Sequence, residues 1–156
     1  MRSSFPRLLA ATFLAISGVV TGLTAIGLTA ADAVISTGRF AVLPADVRAL
    51  DQLASVTPFV AVFALASLAA AVALVLEASW SRRLAIGVTA IGVGFGIVTL
   101  AAVLLAQGPF AVMPSERVLD GIEAIGAFTA AQVIALIASI VDRSPRRVTT
   151  VPAPAG

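Results

Sequence analysis

Cysteine, histidine, tyrosine and lysine are all missing from these 156 residues. Their absence removes thiolate and imidazole metal ligands, the usual haem ligands, disulfides, Cys or His nucleophiles and Schiff-base lysines. Without cysteine the chain also carries no mark of the redox state of its compartment. Charge is scarce too, at 12% of residues against roughly 25% in soluble domains. No metal and no cofactor are expected, and acid–base chemistry would rest on eight Asp and Glu residues alone.

What is present is apolar. Hydrophobic residues make up 60% of the chain and the mean hydropathy is +1.08, so water cannot be its main solvent. A bilayer core about 30 Å thick takes about 20 apolar residues in a helix. Four stretches reach that length, at 8–31, 53–76, 84–106 and 119–141. The fold class expected is an all-α, four-transmembrane-helix bundle forming one domain over 1–141. The remaining segment, 142–156, is too poor in apolar residues to pack and is read as a disordered tail that fixes topology or docks a partner.

All ten basic residues are arginine, which gives a sequence pI near 11.0. They lie in twos and threes at the ends of apolar runs, whereas a nucleic-acid footprint would gather them on one soluble face, so no nucleic-acid partner is expected. Arginines are retained on the cytoplasmic side of short loops. Arg2, Arg7, Arg82, Arg83, Arg143, Arg146 and Arg147 then fall inside, against Arg39, Arg48 and Arg117 outside. The acids run the other way: Asp32, Asp46, Asp51, Glu116, Asp120 and Glu123 outside, Glu77 and Asp142 inside. Both termini are expected in the cytoplasm of a plasma-membrane protein, with Trp80 as an anchor at the inner interface. The competing view makes the first run a cleaved signal ending at Ala31-Asp-Ala33, but that run exceeds the 7–15 apolar residues of such a signal.

Gly38-Arg-Phe-Ala-Val-Leu-Pro-Ala-Asp46 recurs as Gly108-Pro-Phe-Ala-Val-Met-Pro-Ser-Glu116, with five of nine positions identical. Both copies follow an odd-numbered span. The offset of 70 also pairs Gly22 with Gly92 and, after a one-residue slip, Phe59 with Phe128. A duplicated two-helix hairpin (8–76 and 84–141) is expected, its copies related by a pseudo-twofold along the membrane normal. In the repeated phrase Gly38 and Gly108 suit helix ends, and Pro44 and Pro114 suit the first turn of the next helix. Phe40 and Phe110 remain as an apolar patch that dips into the interface, caps the bundle or docks a partner.

In the first span Ala11, Ala15, Gly18, Gly22, Ala25 and Thr29 form a narrow seam of small side chains. With Gly92-x-x-x-Gly96 in the third span, it predicts that spans one and three make the central contact, within one subunit or as a homodimer face. Asp32 and Glu123 are the candidate functional acids; their repeat equivalents are Ala102 and Ala54. Either they are interfacial acids paired with Arg39, Arg48 or Arg117, or they serve cation or proton coupling. Gln132 is the only strongly polar side chain near mid-membrane. Nine residues from Glu123, it lies about 180° around the helix, and it is expected to hydrogen-bond Thr21, Thr24 or Thr99. Pro58 is expected to kink span two.

These features favour a non-enzymatic accessory, assembly or regulatory membrane subunit, surrounded by lipid and bound to a membrane-protein partner or to copies of itself. A small cation- or proton-coupled transporter using Asp32 and Glu123 is the alternative. A holin-type lysis protein rests only on size, span number and the basic tail.

Overall fold

The computed structural model describes the backbone of residues 5–37, 44–105 and 115–142, and the side chains of 5–37, 54–105 and 119–142. Four helices account for nearly all of it: α1 (Phe5–Ser36), α2 (Pro44–Val75), α3 (Ser81–Leu104) and α4 (Ser115–Val141). There is no strand among the described residues. Each helix contains a stretch long and apolar enough to cross a membrane. Such runs become helices because lipid offers no partner for a backbone N–H or C=O, and a helix satisfies both internally. Serine and threonine follow the same logic. Thr21, Thr24, Thr29, Thr89, Thr99, Thr129 and Ser139 each donate to the carbonyl four residues back.

The helices extend past the apolar runs. At 32 residues each, α1 and α2 are about 48 Å long, well beyond a core of about 30 Å. α2 begins at Pro44, whose missing N–H costs nothing in a first turn, and it continues unbroken through Pro58. Just past the end of α2, Glu77 adopts φ 56°. Ala78 N–H reaches Ala73 O at 3.1 Å and Glu77 N–H reaches Leu74 O at 3.3 Å. This is a Schellman cap with a glutamate in the left-handed position that glycine usually fills.

The four helices run up, down, up and down in a closed ring. α1 lies against α2 and α4, and α3 against α4 and α2, while α1 and α3 are diagonal to one another and barely meet. The expected contact between spans one and three is therefore corrected. A Cβ on Gly18 would fall 2.7 Å from Leu68 Cγ and 3.1 Å from Ala64 O, so the small seam of α1 closes on α2. Seams of small residues report that a backbone comes close, not which one.

Leu14, Leu74, Ala10, Ala70, Ala85 and Ala135 form the tightest part of the core. Phe63 crosses the bundle, its ring edge-on to Phe128 of α4 with centroids 6.0 Å apart, and Phe59 pairs with Phe95 of α3 at 5.8 Å. Only 22–33% of each apolar window is buried. Leu23, Ile26, Leu65, Val98 and Leu119 point outward, a distribution that a lipid solvent accommodates and water would not. The chain is a multi-pass membrane protein.

Candidate functional site

The polar side chains divide into three levels. At one end, Arg7 near the start of α1 meets both acids of that end. Its Nη1 lies 2.9 Å from Glu77 Oε1, and its Nε donates to Asp142 Oδ2 at 3.2 Å. Arg7 and Asp142 are 13% and 5% exposed and Glu77 is 45% exposed, so the Asp142 contact is the one sheltered from solvent. Arg82 at the start of α3 donates from Nε to Ser139 O at 3.0 Å and from Nη2 to Ile140 O at 2.7 Å. Those carbonyls are free because a helix C-terminus has no further turn to use them, and a cation there also complements the helix dipole. Arg7 and Arg82 thus fasten the ends of all four helices. Trp80, just before α3, is exposed at the same level.

Ten residues along each helix from this arginine end, about 15 Å, lies a second level, near the centre of a bilayer core of about 30 Å. It contains Ser17 of α1, Ser67 of α2, Gly92 of α3 and Gln132 of α4, with Thr89 one turn nearer the arginines. All are buried. A Cβ on Gly92 would fall 2.8 Å from Gln132 Cδ and 2.9 Å from Phe63 Cζ, so Gly92 is the space that the Gln132 carboxamide occupies. Gly96 plays the same part for Thr129. No hydrogen bond reaches the amide nitrogen or oxygen of Gln132, nor Ser67 Oγ. The expected bond from Gln132 to Thr21, Thr24 or Thr99 is corrected: each of these hydroxyls donates within its own helix. A threonine in an apolar helix has a carbonyl four residues back always within reach, so a distant glutamine competes poorly for it.

The third level is the opposite end, where Asp32 and Glu123 are both exposed. Asp32 lines a groove of about 680 Å³ between α1 and α2, together with Ala25, Thr29, Ala54, Thr57 and Pro58. Glu123, on α4, is not part of that lining. Of the expected acid–arginine pairs, Arg39 and the side chains of Arg48 and Arg117 lie outside the described residues, as do Gly38, Phe40, Gly108, Phe110 and Pro114.

Sequence reasoning missed the Arg7–Glu77–Asp142 cluster. The available signal was that only two acids lie at an end holding most of the arginines. It also missed that Phe63 and Gln132, 69 positions apart in the chain, meet at Gly92. Among the described residues no group of three or more acids could hold a metal ion. Compared with protein-family models, with curated proteins and with solved structures, the chain matches none of them.

Proposed function

We propose that the chain is a non-enzymatic subunit of the plasma membrane, both termini cytoplasmic, which acts by packing against a larger membrane protein or its own copies. The observation that carries this is the filled centre of the bundle. At mid-depth Gly92, Gln132, Phe63 and Phe128 are in contact or close to it, leaving side chains where a conduction pathway would need space. At the arginine end, Arg7, Glu77, Asp142 and Arg82 are committed to holding helices together. What the bundle offers to other molecules is its outward apolar surface. Two tandem hairpins are part of the same proposal, supported by the ring order, in which each hairpin packs its own two helices side by side.

The test is purification of the tagged full chain from native membranes in mild detergent. A subunit co-purifies with a partner, or with itself, in fixed stoichiometry. A lone monomer that keeps no companion would sink the proposal. Coupled transport has one feature in its favour, the carboxylate of Asp32 in the groove. It requires that Asp32→Asn and Glu123→Gln abolish cation- or pH-driven flux in liposomes.

A further inference from the structure

The groove between α1 and α2 has an unusual position. Counting from the mid-depth residues Ser17 and Ser67, Ala25 lies about 12 Å and Pro58 about 14 Å toward the Asp32 end, while Asp32 itself lies about 22 Å away. A bilayer core extends about 15 Å from its centre and the headgroup layer ends at about 20–22 Å. With Ala61 about 9 Å from mid-depth, the groove therefore begins within the hydrocarbon and opens at the outer part of the headgroup layer. Its volume, about 680 Å³, is in the range of clefts that hold a small molecule. Alanines and Pro58 line the deeper part, and Asp32 supplies the one charged side chain among the described lining residues. No ion pair to Asp32 occurs among the described residues.

We infer that this groove binds a phospholipid whose headgroup carries a primary ammonium. The ammonium pairs with the Asp32 carboxylate, and the glycerol and upper acyl chain lie over Ala25, Pro58 and Ala61. Three parts of the geometry select that occupant. A cleft open to the bilayer sides with lipid over water-soluble ligands. A carboxylate at headgroup depth repels anionic headgroups. It also prefers a donor-bearing ammonium to a quaternary one, because only the former adds charge-assisted hydrogen bonds. Glu123 is not in the lining of this groove and takes no part.

The experiment is native mass spectrometry of the full-length chain released from nanodiscs. These contain equal parts of phosphatidylethanolamine, phosphatidylcholine and phosphatidylglycerol. The wild type should retain phosphatidylethanolamine about fivefold over either competitor, the ratio of a partly screened ion pair worth about 1 kcal/mol. Asp32→Asn, at an exposed position, should bring the three lipids level without altering helix content. Ala61→Phe, which fills the deeper part, should lower total retained lipid while leaving the oligomeric state unchanged. Equal retention by the wild type, a preference that survives Asp32→Asn, or a change of oligomeric state in Ala61→Phe with lipid retention intact would each overturn the assignment. The last outcome would mean that a second protein copy covers the groove.

Discussion

Arg7 and Asp142 are separated by 135 positions and joined by a hydrogen bond of 3.2 Å, so the start of the first helix is tied to the end of the last. The pair is part-buried, with Asp142 5% exposed, and this is where charge contributes most to holding the ring closed. Replacing Arg7 by Gln takes the cation from beside a sheltered carboxylate and should cost about 2–4 kcal/mol, toward the lower side of the range for breaking buried pairs. Asp142→Asn in the same chain should recover a large part of that loss. Reversible unfolding in mixed micelles measures both, and a double-mutant cycle with no coupling would show that the contact is incidental.

Glu77 carries two opposing contributions. Its left-handed backbone is disfavoured for a residue with a Cβ by roughly 1–2 kcal/mol, and its carboxylate pairs with Arg7. The carboxylate is 45% exposed and screened, so that pair is worth no more than about 1 kcal/mol. Glu77→Gly should therefore leave stability unchanged or slightly raised, whereas Glu77→Ala, which loses the pair and keeps the strain, should lower it. A Gly variant clearly less stable than the Ala variant would contradict this account.

Much of the fold is visible in the sequence because lipid imposes long apolar runs, and those runs mark the four spans with little ambiguity. Helix ends were harder to place. Phe5, Pro44 and Ser115 begin their helices outside the apolar runs, where capping and flanking polar residues decide, and hydropathy is blind to both. Neighbour relations were harder still. Gly18 announced that some backbone comes close, but only the structure places Ala64 and Leu68 against it. Asp32 and Glu123 stood out because acids are rare in such chains. That Asp32, and not Glu123, lines the groove between α1 and α2 depends on how those two helices sit against each other, which residue spacing within one helix cannot encode. Counting arginines by side gives a topology, yet it treats Arg7 as a free charge when its role is to pair.

The glycines separate into filled and open positions, and this gives a graded series. Gly18 faces the carbonyl of Ala64, which as backbone cannot step aside, so Gly18→Val should force α1 from α2 at a cost of about 1–3 kcal/mol. Gly94 has nothing within 4 Å of a built Cβ, and Gly94→Ala should be neutral or mildly stabilising through helix propensity. Thermal unfolding of the two variants in one detergent checks the order. Equal effects would mean that the seam is not a packing surface within the subunit.

Gln132 gives the sharpest test of how the centre is built. Its carboxamide is fully buried at mid-depth, lies against Gly92 and receives no hydrogen bond, an arrangement that costs about 1–3 kcal/mol for each unsatisfied group in a low-dielectric interior. Leucine has a similar volume and no polar atom, so Gln132→Leu should stabilise the isolated bundle by about 1–2 kcal/mol. Gln132→Ala removes the same polar atoms but opens a cavity beside Phe63, and the lost packing should cancel the gain or reverse it. Comparing the two by unfolding in the same micelles separates polarity from volume. A Leu variant less stable than wild type would mean that the carboxamide is satisfied in the folded protein after all.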